Sequence, residues 1–414
     1  MRVFMPVAVL ALTLAAGPAT ATGAVPATAG PPDHWVGTWA SSPVRGTTTA
    51  TCPAGDAAVT NQTVRNIVFA SVSGDTVRVR LTNAFGTAAL TVGSASVAIA
   101  GSGAATAPGT LRTLRFGGQP GITIPPGAEA LSDPVSLPVH ALQSLAVSVY
   151  VPQLAGPATI HSLAVQDNFL STAGDFTASA DPAAFATTIS CWMFVDGVDV
   201  RASALVPGSI VAFGDSITDG LRSTVNANRR WPNDFARRLA DRHGRILSIV
   251  DQGISGNRVL SDGAGVSAQA RLDRDVLTQT GARVVIFLLG VNDIGFANLG
   301  IGPPITAEQL IAGYQQIVAR CHNAGLKIIG GTLLPFKGVP VYWNEAGEQI
   351  RQVVNDWIRH SGAFDAVVDF ATIMADSNDP QMMNPAYDSG DHLHPNDAGY
   401  QAMADAIPLS LTSP

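Results

Sequence analysis

The chain has 414 residues, a length that predicts two domains. Its 24 Lys and Arg and 31 Asp and Glu give a net charge of −7, which argues against nucleic acid as a partner. The three cysteines fit an exported protein with one disulfide bond.

The N-terminal residues 1–24 have the pattern of a secretory signal peptide. An apolar stretch follows Arg2 and runs to about Ala16, and Ala19-Thr20-Ala21 offers an A-x-A cleavage site. The stretch is too short to span a bilayer, and no cysteine that could carry a lipid anchor precedes Cys52. We therefore expect a secreted protein, extracellular or periplasmic, without a membrane anchor.

Residues 33–203 contain short β-rich runs separated by turns rich in Gly, Pro, Asn and Asp. Residues 76–81 alternate polar and apolar side chains, which is typical of a half-buried strand, and no long helical pattern intervenes. This segment predicts an all-β sandwich of antiparallel strands. Cys52 and Cys191 lie in its loop- or strand-like sequence, whereas Cys321 lies in a helical pattern. We predict a Cys52–Cys191 disulfide and a free, buried Cys321.

Residues 204–414 change to an alternation of strands and helices. The apolar runs predict strands at residues 209–213, 246–250, 284–289, 327–333 and 364–369. Helical spacing predicts helices at residues 231–243, 306–324, 344–360 and 396–407. Buried parallel strands that alternate with helices predict a three-layer α/β sandwich with a flavodoxin-like parallel sheet.

Ser216 follows the first of these strands, in a polar turn that begins at Gly214. The carboxyl ends of the strands are where open α/β sheets place their ligand sites. Gly-Asp-Ser is also an ordinary turn composition, and a Ser hydroxyl needs a base to become a good nucleophile. Asp391 and His394, near the end of the chain, could supply that base and orient it.

Two further strands end in residues that suit acyl transfer. One strand runs into a glycine-rich turn at Gly253, where the backbone can approach a bound group and present its N–H. The next ends in Gly-x-Asn-Asp, which brings the amide of Asn292 to the same edge of the sheet. Together with a serine and a histidine, these residues provide a nucleophile, two oxyanion donors and a general base.

The segments FGDSITDG, DQGISGNR, LLGVNDIG and DHLHPNDAGY resemble, in this order, blocks I, II, III and V of the GDSL or SGNH hydrolases. The resemblance covers about residues 207–414, and a β-sandwich before such a domain resembles a subgroup of secreted bacterial esterases. It implies that Ser216 attacks an ester carbonyl, that His394 is the general base and that Asp391 orients His394. It also implies an oxyanion hole built from the N–H groups of Ser216 and Gly253 and the amide of Asn292.

Three alternatives concern the site. His392 competes with His394 as the base, but Asp391 and His394 have the family's Asp-x-x-His spacing. The α/β-hydrolase fold is disfavoured because the chain contains no G-x-S-x-G. The other histidines are scattered without metal-ligand spacing, so no metal and no cofactor are expected; among them His161 could reach the site if the β-rich segment leans over it.

The sequence thus predicts a secreted serine esterase that hydrolyses short-chain carboxylic esters. Its substrates would be small-molecule or polysaccharide esters, with acetyl groups on polysaccharides as one possibility. An arylesterase or a lipase-like hydrolase is the nearest alternative. A carbohydrate-binding protein with a degenerate hydrolase domain is disfavoured, because every residue of the expected site is intact.

Overall fold

A computed structural model describes residues 34–412 of the chain. The predicted signal peptide lies outside the described residues, so its assignment stays a prediction.

Sixteen strands, β1 to β16, make up the N-terminal part of the described chain. Their bounds are Trp35–Ala40, Val44–Arg45, Thr60–Phe69, Gly74–Thr82, Leu90–Val92, Ser94–Ile99, Arg112–Thr113, Ile122–Ile124, Glu129–Leu131, Val135–Val139, Ser144–Gln153, Thr159–His161, Asn168–Ala173, Thr187–Ile189, Trp192–Met193 and Val195–Arg201. We call this part the β region.

The β region consists of antiparallel sheets. A five-stranded sheet has the order β1-β16-β4-β10, with β9 also paired to β4, and a six-stranded sheet has the order β14-β13-β3-β11-β6-β7. Smaller sheets are formed by β15-β12-β2 and by β5-β8. Apolar side chains of the two large sheets share one core, which includes Val79 and Val198 of the first sheet and Val64 and Val147 of the second. The antiparallel all-β architecture is thereby confirmed, while the sandwich arrangement stays a prediction.

Burial along the central strands follows the period-2 rule only in part. In β4 the side chains of Val77, Val79 and Leu81 are buried and those between them are half-buried, as an alternating pattern predicts.

The predicted Cys52–Cys191 disulfide is present and joins positions 139 residues apart, and Cys321 is buried and free. This crosslink ties the loop after β2 to the start of β15.

The C-terminal part contains five strands and eight helices. The strands β17 to β21 are Ser209–Gly214, Ser248–Gly253, Ala282–Leu288, Lys327–Gly331 and Ala366–Val368. The helices α1 to α8 are Ser216–Asp219, Trp231–Ala240, Ala268–Leu272, Val291–Asn298, Ala307–Asn323, Glu345–His360, Phe370–Met374 and Asp397–Ala406. Each predicted strand and helix of this part is present, with ends within three residues of the expected positions.

The five C-terminal strands form a parallel sheet in the order β18-β17-β19-β20-β21. Counted from β17 this is 2-1-3-4-5, the flavodoxin-like order, in which the chain reverses direction beside the first strand. The carboxyl ends of the three strands at this point are level, because Gly214 is paired with Gly253 on one side and with Leu288 on the other. Ligands of such sheets bind at this reversal point. We call residues 209–412 the α/β region.

The β region and the α/β region are joined by residues 202–208, which contain the predicted boundary between positions 203 and 204. They also share hydrogen bonds that are largely buried. The N–H of Gly37 donates to the carbonyl of Thr280, and the Thr280 hydroxyl donates to Asp199. No helix within residues 34–412 is long and apolar enough to cross a membrane.

Arg271 makes the most extensive of these connections. Its side chain is fully buried and lies over the ring of Phe213. The guanidinium donates to five groups: the carbonyls of Gly214 and Gln252 and the side chains of Ser42, Asn257 and Asp275. Burial lowers the pKa of Arg271 to about 10, which leaves it charged at neutral pH. One side chain thus links the β region to the ends of β17 and β18.

Replacement of this guanidinium should destabilise the whole chain. Arg271→Met removes all five of these hydrogen bonds and leaves Asp275 with Arg274 as its remaining cation. We therefore expect the free energy of unfolding to fall by about 3 kcal/mol in urea titrations. Arg320→Met is the matched control, because Arg320 bonds to Asp273 at 2.9 Å with both side chains partly exposed. Its effect should stay below about 1 kcal/mol. Equal losses in the two variants would contradict the role assigned to Arg271.

Candidate active site

The turn after β17 places Ser216 at the first position of α1. Asp215 caps this short helix by accepting a hydrogen bond from the N–H of Ile217 at 3.0 Å, and Gly220 ends it in the left-handed conformation at φ 84°. The N–H groups of a first helical turn have no acceptor within the helix, so they point outward at the N-terminus. Here the N–H groups of Ile217, Thr218 and Asp219 all donate to Asp215, and the N–H of Ser216 lies at the start of the turn beside its own hydroxyl.

Ser216 is in contact with the predicted histidine. The Oγ atom of Ser216 lies 2.9 Å from Nε2 of His394, across 178 residues of sequence. Nδ1 of His394 lies 2.8 Å from Oδ2 of Asp391. Because a carboxylate only accepts hydrogen bonds, Nδ1 carries the proton and Nε2 is free to accept from the Ser216 hydroxyl. The three side chains form one continuous chain of hydrogen bonds.

Asp391 is held as a carboxylate. Burial raises its pKa, but the bonds donated by His394 and by the backbone N–H groups of Leu393 and His394 outweigh burial and lower the pKa far below its usual range. Arg222 adds a further donor, with Nε 3.0 Å from Oδ2 of Asp391. Arg222 has a left-handed backbone at φ 76°, which is uncommon for a residue with a side chain. Asp391 therefore stays ionised across the whole neutral range.

His392, the competing candidate for the base, lies in a different contact. Its Nδ1 is 2.6 Å from Oδ2 of Asp388, and its backbone N–H donates to the same carboxylate. Its ring packs toward Gly338, so a Cβ on that glycine would lie 3.0 Å from the imidazole. The structure brings His394 to Ser216 and pairs His392 with Asp388.

Gly253 lies at the end of β18, level with Gly214. Its N–H donates to Oδ1 of Asp251 at 2.9 Å, so this donor already has an acceptor. The backbone that closely approaches Gly253 belongs to Asp219, whose N would lie 2.3 Å from a Cβ at position 253. Close packing of α1 on β18 therefore requires glycine here, independently of any bound group.

Asn292 occupies the first turn of α4, where its side chain is buried. The Nδ2 atom donates to the carbonyl of Asn257 at 3.0 Å, and Oδ1 accepts from the hydroxyl of Tyr342 at 2.6 Å. These two contacts fix the orientation of the amide, because a carbonyl accepts only from the NH₂ end. The second hydrogen on Nδ2 is available for another acceptor.

Tyr342 was not predicted to contact Asn292. Its ring packs against α4 at Gly295, where a Cβ would come within 2.0 Å of the ring. The glycine one turn after Asn292 was the available signal, since the sequence VNDIG leaves room for a large side chain there. Arg222 likewise belonged to no motif, and only the folded chain brings it to Asp391.

Two buried carboxyl groups lie beside these residues. Burial raises the pKa of Asp215 to about 7 and that of Asp293 to about 6. Asp293 accepts from the N–H groups of Val259 and Leu260 at 2.8 and 3.0 Å, and so anchors the turn that follows β18. Asp293 therefore stabilises the turn after β18, as predicted for a residue with a structural role.

A cavity of about 490 Å³ lies beside α4, and Asp293, the residue after Asn292, is part of its lining. It is lined by Asp293, Ala297 and Ile301, by Arg258, and by the glutamines of α5 and α3. Its volume suits a small molecule, although its lining does not include Ser216 or His394. Within residues 34–412, no group of three or more His, Cys, Asp and Glu side chains is arranged to hold a metal ion.

Solved structures to which part of this chain is similar include three ester hydrolases or lipases. An aryl esterase from Mycobacterium smegmatis is 18% identical, with 48% of this chain and 95% of that chain covered and a TM-score of 0.38. A carbohydrate acetylesterase from Sinorhizobium meliloti is 17% identical, with coverages of 48% and 96% and a TM-score of 0.38. A GDSL-like lipase from Bacteroides thetaiotaomicron is 19% identical, with coverages of 49% and 86% and a TM-score of 0.38.

No curated protein matches the chain. The model of the GDSL-like lipase/acylhydrolase family matches residues 212–402. This segment includes Ser216, Gly253, Asn292, Asp391 and His394, and it begins inside β17 and ends inside α8. Residues 212–402 are therefore a domain of the GDSL-like lipase/acylhydrolase family.

Proposed function

We propose that the protein is a serine esterase in which Ser216, His394 and Asp391 form the catalytic triad. One observation carries the proposal: the Oγ of Ser216 and a carboxylate of Asp391 lie at hydrogen-bond distance from opposite nitrogens of His394. This arrangement provides a nucleophile, a base that can accept its proton and a group that holds the base in the right tautomer.

The first half of the reaction forms an acyl-enzyme. Ser216 Oγ attacks the ester carbonyl carbon while its proton passes to Nε2 of His394. The tetrahedral intermediate collapses, the bond to the alcohol oxygen breaks, and Nε2 returns the proton to the departing alcohol. Asp391 stabilises the imidazolium between these two transfers without becoming protonated.

The second half hydrolyses the acyl-enzyme. Nε2 of His394 takes a proton from water, whose oxygen attacks the acyl carbon. Collapse of the second intermediate releases the carboxylic acid, and Ser216 Oγ regains its proton from Nε2. The enzyme therefore returns to its starting state with no cofactor in the cycle.

The oxyanion would be stabilised at the N-terminus of α1 and by Asn292. We assign the N–H of Ser216 and the free hydrogen on Nδ2 of Asn292 as two donors, and the turn after β18 as the source of a third. Gly253 can serve only by giving up its bond to Asp251. Gly256, in the same turn with φ 78°, offers the next glycine N–H.

The substrate is proposed to be a short-chain carboxylic ester, with acetyl esters of polysaccharides as a specific case, and the enzyme to be exported. The support is chemical: the triad acts on any accessible ester, and the sequence shows no long apolar lid for long acyl chains. Acetate release from acetylated xylan, compared with the turnover of p-nitrophenyl esters of increasing chain length, distinguishes this substrate class from an arylesterase or a lipase. A rate that rises steadily with acyl length would overturn the short-chain assignment.

Removal of the nucleophile should abolish ester hydrolysis without unfolding the chain. Ser216→Ala removes the only group assigned to attack, so kcat should fall by roughly a million-fold. The melting temperature should stay close to that of the wild type, because only the hydrogen bond between the Ser216 hydroxyl and His394 is lost. Near-wild-type turnover in a pure, folded Ser216→Ala sample would rule out the assignment.

The two neighbouring histidines provide a matched pair of variants. His394→Ala removes the base and should lower kcat by roughly the same factor as loss of the serine, because triad members act as a unit. His392→Ala removes the ring's contacts with Asp388 and Gly338, not a contact with Ser216, and should retain most of the activity. Activity of both variants should be measured at one pH above and one below neutrality. The opposite ranking would assign the base to His392.

The hydroxyl of Tyr342 should contribute to catalysis through Asn292. Tyr342→Phe keeps the ring against Gly295 and removes one hydrogen bond, so we expect kcat to fall about 10-fold, less than the roughly 100- to 1000-fold that loss of an oxyanion donor costs. Tyr150→Phe is the control, because Tyr150 also donates to an asparagine, Asn61, at 2.9 Å but in the β region. Equal kcat values in the two variants would contradict this role.

A further inference from the structure

His161, at the end of β12 in the β region, is buried against the α/β region. Its Nδ1 lies 2.8 Å from the carbonyl oxygen of Ser42. Its Nε2 lies 2.9 Å from Oδ1 of Asp219 and 3.1 Å from the carbonyl oxygen of Leu163. Both ring nitrogens therefore face oxygen atoms that accept hydrogen bonds.

These contacts determine the charge of the ring. A neutral imidazole carries one N–H, whereas the contacts at Ser42 and at Asp219 and Leu163 require one on each nitrogen. A protonated Asp219 could donate to a neutral ring, but Leu163 would then face a nitrogen lone pair. An imidazolium paired with a carboxylate satisfies all three contacts, so His161 is a buried cation.

The surrounding charges agree with this state. Burial lowers the pKa of His161, but the Asp219 carboxylate, the Ser42 carbonyl and the more distant Asp251 outweigh burial and raise the pKa above its usual value. Burial raises the pKa of Asp251 to about 7, so its charge is partial near neutrality. Arg230, also buried, donates to the backbone carbonyl of Asp219 at 2.9 Å.

Asp219 connects the two turns that carry the candidate catalytic groups. It is the last residue of α1, three positions after Ser216. Its Oδ2 accepts from the N–H and from the hydroxyl of Ser255, at 3.0 and 2.8 Å. Ser255 belongs to the turn after β18, which is the proposed source of an oxyanion donor.

We propose that His161 is a positioning residue for ester hydrolysis: its imidazolium fixes Asp219, and Asp219 holds the nucleophile turn in register with the turn at Ser255. This role rests on the proposed function. His161 touches neither substrate nor Ser216, and it acts through one carboxylate whose second oxygen spans both turns. The β region thus supplies the cation that pairs with the Asp219 carboxylate.

The kinetic test uses the full chain and p-nitrophenyl acetate. His161→Gln keeps a donor and loses the charge, His161→Ala loses both, and Asp219→Asn breaks the pair from the other side. Because small displacements of catalytic groups are costly, kcat should fall about 10- to 100-fold in His161→Ala, with KM nearly unchanged and a smaller loss in His161→Gln. The double variant His161→Ala/Asp219→Asn should be no slower than the slower single variant, since both remove the same interaction.

His322→Gln is the matched control. His322 pairs with Asp365 at the same 2.9 Å, but both side chains are partly exposed and lie at the amino end of β20. This variant should keep the wild-type kcat. Melting temperatures are measured for every variant, and kcat is compared well below the lowest of them. Folded His161 and Asp219 variants with wild-type kcat would reduce the pair to a structural contact and overturn the proposal.

The charge of the His161 ring can also be measured directly, in the wild-type protein. In wild-type protein labelled with ¹⁵N-histidine, and with the His161 signal assigned by its contacts, both ring nitrogens should stay protonated to a higher pH than those of an exposed histidine, whose pKa is about 6.5. A His161 ring that loses its proton at or below that pH would overturn the proposal. Wild-type protein that hydrolyses no ester, and whose Ser216 is not labelled by a fluorophosphonate, would instead overturn the proposed function and this role with it.

Discussion

The guanidinium of Arg271 joins the carboxyl ends of β17 and β18, beside the candidate site, to the β region. A buried cation needs an acceptor for each of its donors, and the acceptors of Arg271 lie on different segments of the chain. The carbonyl of Gly214 directly precedes the nucleophile turn, and the side chain of Asn257 lies in the turn beside Asn292. A shift of any one segment would remove an acceptor from the buried guanidinium. The relative positions of these segments are therefore fixed.

Close backbone approach adds a second constraint around the same point. The α1 backbone at Asp219 packs on Gly253, and the ring of Tyr342 packs on Gly295. Both contacts bring polar atoms into fixed positions: the Asp219 carboxylate at Ser255 and the Tyr342 hydroxyl at Asn292. Gly253, which was predicted to present its N–H to a bound group, thus makes room for Asp219, and Gly295 makes room for Tyr342.

Much of the α/β region could be predicted from the sequence, because its long helices and buried strands have clear periodicity. Ser216, Asp391 and His394 were recognisable because the last two are near neighbours and the first follows a strand. The helices α1, α3 and α7 are too short for a period to be visible. The roles of Arg271, His161 and Tyr342 depend on contacts between residues far apart in sequence, such as the 229 positions between Ser42 and Arg271, and no local pattern encodes such a contact.

The short connection at residues 202–208 has a consequence for how the two regions associate. Buried ion pairs such as His161–Asp219 specify one register, but the cost of removing both charges from water cancels much of their attraction. An interface of this kind favours one relative arrangement of the two regions but contributes little free energy to their association. A tether of a few residues supplies what the interface lacks, since it holds the two surfaces at an effective concentration on the order of millimolar. Cleavage of that peptide segment would turn a unimolecular equilibrium into a bimolecular one, and the catalytic geometry would then depend on protein concentration.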